Sequence, residues 1–175
     1  MADLLKGFGA FGQPLSIGAV LLRISVAVLI GAIIGIDREI KNRPAGMRTH
    51  VLVCVGAALV SMIECQSIAD TVALGNASIG VSMGRITTSV VSGVGFLGAG
   101  TIFMSDHKIS GLTTAASLWC TACIGLAVGS GYIVMALAAG AIVLVVLKLM
   151  QRIVHVNTLK RLEVQFIHRT QTLAF

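Results

Sequence analysis

The chain is organised around residues 35–50, which read Gly35-Ile-Asp-Arg-Glu-Ile-Lys-Asn-Arg-Pro-Ala-Gly-Met-Arg-Thr-His50. This stretch holds six of the twenty Asp, Glu, Lys and Arg residues of the protein. It lies between two long apolar runs, Ile17 to Ile36 and Val51 to Ile63. A charged segment between two such runs predicts a short loop at a membrane face. Four of its charges are basic, which predicts a cytoplasmic loop because short cytoplasmic loops carry an excess of Lys and Arg.

The composition of the whole chain also indicates an integral membrane protein. Of 175 residues, 56% are hydrophobic and 11% are charged, whereas a soluble domain has about 25% charged residues. The net charge of +6 comes from basic residues beside apolar runs, with few aromatic residues among them. This pattern favours anionic lipid headgroups over nucleic acid. We therefore expect the lipid bilayer as a partner, and no nucleic acid.

The apolar runs predict an all-α membrane bundle of about five transmembrane helices, with the N-terminus outside and the C-terminus inside. The first four helices are expected at about Leu15 to Ile36, Arg48 to Gln66, Ile86 to Met104 and Gly111 to Val128, and the fifth ends near Leu147. Residues 1–14 form an interfacial segment, 15–151 the membrane domain, and 152–175 a cytoplasmic tail. The tail alternates like a half-buried strand, which predicts the start of a soluble domain.

Two local features refine this arrangement. The segment from Ser67 to Arg85 contains one basic residue and is expected to be an external loop. Ser110 precedes the fourth apolar run and is expected to be the N-cap of its helix, since serine is a favoured N-cap residue.

Small residues predict close packing between helices. Ala27, Gly31 and Gly35 recur every four residues in the first helix, a spacing that lets two helices approach. We expect this stripe to join two copies of the chain in a homo-oligomer. The third helix has glycines on opposite faces, which predicts a helix at the centre of the bundle. These glycines are Gly93, Gly95, Gly98 and Gly100. They match a nucleotide-binding pattern, but such a site needs a preceding strand, so we exclude it.

Charged residues form two candidate sites. The inner polar cluster comprises Asp37, Arg38, Glu39, Arg43, Arg48, Thr49, His50 and Asp106. It is either a solvated loop that fixes topology or a functional surface. The outer group comprises Arg23, Glu64 and Arg85. An unpaired arginine within a span costs at least ~2.5–3.5 kcal/mol, so we expect Arg23 to pair with Glu64, near Arg85. Such a pair is either a structural ion pair or part of an ion or proton pathway.

The sequence contains no complete metal or catalytic motif. Asp37 and Glu39 are two residues apart, so on one helix they point about 200° apart. The four basic residues around them oppose a cation site. Cys120 and Cys123 have helical i, i+3 spacing but lack the further ligands that zinc needs. We expect no cofactor, no bound metal and no enzymatic activity.

Four stretches together resemble the MgtC/SapB family of bacterial membrane proteins. They are Gly35 to Glu39, Arg43 to Gly56, Val91 to Gly100 and Gly111 to Trp119. Asp37 stands where the family usually has Glu, and Ser82 to Arg85 replaces a family Asp-Pro-x-Arg. The resemblance implies an inner-membrane protein linked to magnesium limitation and magnesium homeostasis, virulence and survival inside host cells. It also implies control of membrane energetics, with restraint of the F-type ATP synthase in some members.

Two functional hypotheses follow. The first is a non-enzymatic regulator that acts by contact with a membrane partner, such as the F-type ATP synthase or another membrane protein. The alternative is a transporter or channel for magnesium or another ion. A continuous polar line from Arg23 and Glu64 to Asp37 and Asp106 favours transport. Exposed small-residue faces without such a line favour a regulator.

Overall fold

A computed structural model describes residues 14–74, 84–105 and 108–153. Over these residues the chain forms five helices and one short β-hairpin. The helices are α1 (Ile17–Ile40), α2 (Met47–Ala73), α3 (Arg85–Gly100), α4 (Leu112–Gly129) and α5 (Ile133–Ile153), and the hairpin strands are β1 (Phe103–Ser105) and β2 (Lys108–Ser110). The predicted all-α membrane bundle of about five helices is therefore confirmed.

Three of these helices are long and apolar enough to cross a membrane, namely α1, α2 and α4. The 24 residues of α1 extend about 36 Å, which exceeds the ~30 Å hydrocarbon core of a bilayer. Large apolar side chains are widely exposed, including Ile17 at 81% and Phe96 at 83%. Such exposure is expected when lipid, and not water, surrounds the helices.

The centre of the bundle is formed by α2 and α4. Helix α2 packs against α1, α3 and α4, and helix α4 packs against all four other helices. Two glycines of α4 allow this approach: a Cβ at Gly125 would overlap the Cys54 carbonyl oxygen, and a Cβ at Gly129 would overlap that of Ala58. Because neither glycine has a side chain, the α2 and α4 backbones lie in direct contact.

The prediction that the third helix is central is wrong. Helix α3 lies at one side of the bundle, against α4 and α2. Gly93, Gly95 and Gly100 are exposed, and no atom of the described residues lies within 4 Å of a Cβ built on any of them, whereas Gly98 packs against Ala115. Glycine permits close approach but supplies no apolar surface to bury, so its pattern does not identify the central helix.

The small-residue stripe of α1 packs within the chain. A Cβ at Gly31 would lie 2.9 Å from the Cα of Val51, and a Cβ at Gly35 would overlap the backbone of Met47. Ala27, on the same stripe, is fully buried. The expectation that this stripe joins two copies is therefore wrong, because α2 already covers it.

Two predicted boundaries also change. Helix α2 continues to Ala73, so the first part of the expected external loop is helical. The hairpin pairs Phe103 with Ser110, which makes Ser110 a strand residue and not an N-cap. Gly111 is the N-cap residue instead, with φ +90°, a backbone conformation that residues with a Cβ rarely adopt. A Cβ at this position would also overlap the Thr101 carbonyl. The rest of that loop, the interfacial segment up to residue 13 and the tail from residue 154 lie outside the described residues.

Candidate functional site

The 41–46 loop and the β-hairpin lie at the same end of the bundle. We call this end, with the helix termini that adjoin these two segments, the basic end. Arg38, Asn42 and Arg43 share one cavity here with hairpin residues Phe103 and Ile109. This end contains the described part of the predicted inner cluster; Asp106 lies outside the described residues.

The two acidic side chains of this cluster are engaged within the protein. The Asp37 carboxylate accepts a 2.7 Å hydrogen bond from the Lys41 ammonium, one helical turn away. The Glu39 carboxylate accepts a 2.8 Å hydrogen bond from the Met47 amide. Met47 begins α2, so Glu39 caps that helix and its negative charge faces the positive end of the helix dipole. Both acids thus stabilise the loop.

The basic side chains beside them are less constrained. Arg43, Arg48 and Thr49 are exposed. Within the described residues, neither the Arg43 nor the Arg48 guanidinium makes a side-chain hydrogen bond or ion pair. The surface of the basic end therefore presents positive charge, while its negative charges are held by Lys41 and by the start of α2.

Arg38 differs from these residues because it is 1% exposed. It lies on the buried face of α1, and its Nη2 donates a 2.8 Å hydrogen bond to the Thr114 hydroxyl in the first turn of α4. Its Nε has no hydrogen-bond partner among the residues that the structure describes. The guanidinium thus links α1 to α4 and lines the cavity of about 380 Å³ at this end.

A second buried polar contact links α2 to α4. His50 is fully buried, and its Nδ1 lies 2.9 Å from the Gly46 carbonyl oxygen, so Nδ1 carries a proton and donates it. Its Nε2 lies 3.2 Å from the Ser117 hydroxyl, which lies 2.9 Å from the Thr114 carbonyl. Together with Arg38, these groups form a hydrogen-bonded chain across three helices.

The buried polar residues of α4 were not among the predicted site residues. Thr114, Ser117 and Thr121 are buried at i, i+3 and i+7, and the Thr121 hydroxyl donates to the Ser117 carbonyl. This spacing places them on one helix face, which is the signal that identifies them. Their mutual hydrogen bonds satisfy buried polar groups, as burial in a membrane bundle requires.

The outer charges lie at the opposite end. Arg23 is fully buried, and its Nη1 donates to the Gly129 carbonyl at 2.5 Å. The Glu64 carboxylate accepts from the amides of Ile86 and Thr87 at 3.4 and 3.3 Å, and so caps α3. Arg85 is exposed. The pairing of Arg23 with Glu64 stays a prediction.

An apolar layer separates the polar groups of the two ends. Along α4, Thr121 and Gly129 are eight residues apart, which corresponds to about 12 Å. Buried residues between these levels include Ala27, Cys54, Ala58, Ile124 and Val128. Within the described residues, no continuous polar line crosses this layer, and no group of three His, Cys, Asp or Glu side chains is placed to hold a metal.

Comparison with known families gives one match over most of the chain. The model of the MgtC family matches residues 24–156. The chain belongs to the MgtC family. The matched range includes every described residue of the basic end, together with Glu64 and Arg85. Arg23 lies immediately before the start of this range. No solved structure matches the chain.

Several curated proteins are similar to this MgtC-family chain. "Putative magnesium transporter YhiD" of Escherichia coli K12 is 37% identical over 133 residues, 76% of this chain and 61% of that protein. "Protein MgtC" of Salmonella typhimurium LT2 is 42% identical over 124 residues, 71% of this chain and 49% of that protein. An "Uncharacterized protein" of Haemophilus influenzae is 36% identical over 140 residues, 78% of this chain and 58% of that protein. The chain thus spans about half to three fifths of these relatives.

Proposed function

We propose that this MgtC-family chain is a non-enzymatic, multi-pass protein of the bacterial inner membrane that regulates by contact with a membrane partner. Its role is adaptation to magnesium limitation, with consequences for membrane energetics and for virulence and survival inside host cells. The F-type ATP synthase is the candidate partner that the family resemblance implies. The basic end, with Arg48 and Thr49 exposed on the first turn of α2, is the contact surface.

One observation carries this proposal. Asp37 and Glu39, the described acids of the basic end, are held by Lys41 and by the Met47 amide, while Arg48 is exposed and unpaired. A surface whose free charges are positive repels a hard cation but attracts an acidic partner. The apolar layer between the two ends favours the same function, since ion passage needs polar groups or water along the path.

The test is charge reversal at Arg48. In a bacterium that lacks its own copy of the gene, the wild-type chain is expected to support growth at low magnesium. The Arg48→Glu variant should lose this support because the contact surface changes sign. Arg85→Glu, the same change at an exposed residue of the opposite end, is the matched control and should retain growth. Both variants are compared at equal abundance in isolated inner membranes.

Two results would argue against the contact surface. One is growth of the Arg48→Glu strain at the wild-type rate. The other is an equal loss in the Arg85→Glu strain, since a general effect of charge on the protein would then explain both.

A second candidate function is transport of magnesium or another ion. It is favoured by the name of the relative YhiD, a putative magnesium transporter, and by the buried arginines at both ends of the bundle, Arg23 and Arg38. Flux of magnesium, potassium and protons into liposomes that hold the purified protein separates the two functions. Saturable flux that falls when Arg23 is replaced by Gln would establish transport and reject the regulator.

The proposal includes self-association through α3. Gly93 and Gly100 lie on one face of α3 and are exposed, and no atom of the described residues lies within 4 Å of a Cβ built on either. Small residues on an uncovered face of a membrane helix allow a second helix to approach closely. Gly93→Leu should lower the oligomeric mass measured in detergent micelles, whereas Gly56→Leu on the exposed face of α2 should not. Equal masses for all three proteins would exclude this face.

A further inference from the structure

The cavity at the basic end has a cationic and an apolar part. Its volume is about 380 Å³, and it lies between the end of α1, the 41–46 loop, the hairpin and the start of α4. Arg38 and Arg43 line it, and among the described residues no acidic side chain does. Phe103, Ile109 and Leu112 form an apolar wall. The two arginines make the cavity a region of positive potential beside an apolar surface.

Arg38 places its positive charge in the protein interior beside this cavity. Arg38 is 1% exposed, its Nη2 donates to the Thr114 hydroxyl, and its Nε has no hydrogen-bond partner among the described residues. A buried N–H group without an acceptor is uncommon in native proteins, because burial removes the water that would otherwise accept its proton. The position of this group at the cavity predicts an occupant that supplies an acceptor oxygen.

The first turn of α4 adds donors at the same place. The first backbone hydrogen bond of α4 joins the Ala115 amide to the Gly111 carbonyl. The amides of Leu112, Thr113 and Thr114 precede that bond, so they have no acceptor within the helix. Gly111 has no side chain with which to cap them. These amides and the helix dipole favour an anion at this position.

We propose that this cavity binds a phosphate group. The guanidinium groups of Arg38 and Arg43 and the uncapped amides of α4 supply its hydrogen bonds, a donor set that matches several oxygens of one tetrahedral anion. The apolar wall accommodates a substituent on the phosphate. Both inorganic phosphate and the headgroup of an anionic lipid present this chemistry, and the exposed side chains of Phe103, Met104 and Ile109 give the hairpin an apolar surface that lipid would cover. This site is independent of whether the protein regulates or transports.

The first experiment measures inorganic phosphate. The full chain is purified in phosphate-free maltoside micelles, and retention of radiolabelled phosphate is measured by equilibrium dialysis at low salt. Arg43→Gln removes one charged donor from an exposed position and should weaken binding about tenfold. Lys148→Gln removes the same charge from an exposed residue of α5 outside the cavity, and should change binding less than about twofold.

The second experiment measures lipid. Native mass spectrometry of the delipidated protein compares phosphatidylglycerol with diacylglycerol, which has the same acyl chains but no phosphate. Retention of phosphatidylglycerol, with loss in Arg43→Gln and not in Lys148→Gln, would identify a lipid headgroup as the ligand. Saturable dialysis with the same variant pattern would identify free phosphate. Either result supports the site.

Arg38 is tested by Arg38→Lys, which keeps the charge but removes the planar set of donors. If this variant retains the helical circular dichroism of the wild type, its phosphate affinity should fall by about tenfold. The proposal is overturned if neither ligand is retained. It is equally overturned if Arg43→Gln and Lys148→Gln weaken retention to the same extent, since binding would then reflect net charge alone.

Discussion

Replacing Gly125 by alanine tests whether direct backbone contact between α2 and α4 holds the bundle together. The new Cβ would lie 3.0 Å from both the Ala57 Cβ and the Cys54 carbonyl carbon, and closer still to the Cys54 oxygen. Ordinary van der Waals contact begins near 3.4 Å, and the obstructing atoms belong mainly to the backbone. The two helices must therefore separate by about 1 Å, which forfeits a quarter to a half of the dispersion energy at the atoms that lose contact.

Overpacking of this kind costs about 1–3 kcal/mol, while alanine recovers up to about 1 kcal/mol of helix propensity. We expect Gly125→Ala to lower the free energy of unfolding by up to about 2 kcal/mol after this offset. Gly56→Ala is the matched control. Gly56 lies in α2, no atom of the described residues is within 4 Å of its Cβ position, and the variant should gain up to about 1 kcal/mol of stability.

The assay is reversible unfolding by sodium dodecyl sulfate in mixed micelles, followed by far-ultraviolet circular dichroism. Gly125→Ala should be less stable than wild type, and Gly56→Ala should be more stable. Comparing the two variants therefore removes any general effect of adding a methyl group. Equal stability of Gly125→Ala and Gly56→Ala would refute the reasoning, because the α2–α4 interface would then accept a Cβ without cost.

Three further expectations concern the ends of the bundle. Gly111→Ala should destabilise the hairpin and the start of α4 by more than 1 kcal/mol, since φ is +90° there, and hydrogen exchange of the hairpin amides measures this. Ser61→Ala removes a 2.6 Å hydrogen bond between the Ser61 and Ser130 hydroxyls and should cost about 0.5–1.5 kcal/mol in the same unfolding assay; no change would mean that the bond adds nothing. In a cysteine-free background, a thiol probe should label Asn42→Cys only from the cytoplasmic side and Tyr132→Cys only from outside; the reverse pattern would contradict the predicted topology.

The sequence predicted the helices because lipid imposes a simple rule on them. Each apolar run must satisfy its backbone hydrogen bonds internally, so length and apolarity alone indicate an α-helix. The helix boundaries were less predictable. Ser67 to Ala73 continues α2, and residues 103–105 pair with residues 108–110, because local contacts such as the pairing of Phe103 with Ser110 decide where a helix ends.

The candidate site was predicted in part. The sequence indicated the residues of the basic end, but it did not distinguish the buried Arg38 from the other three basic residues of residues 35–50. Its burial depends on the α1 face that packs inward and on Thr114, which is 76 residues away in the chain. The same is true of Glu64, whose capping of α3 spans 22 residues to the Ile86 amide.

What the sequence by itself determined is the family, the membrane class and the placement of charge, because these depend on composition, motifs and order along the chain. Only the tertiary structure decided which small residues carry the packing. Gly31, Gly35, Gly125 and Gly129 are covered by α2, whereas Gly93, Gly95 and Gly100 are exposed. Glycine is equally compatible with both environments, so its role depends on which helix lies opposite, and that is a property of the folded bundle.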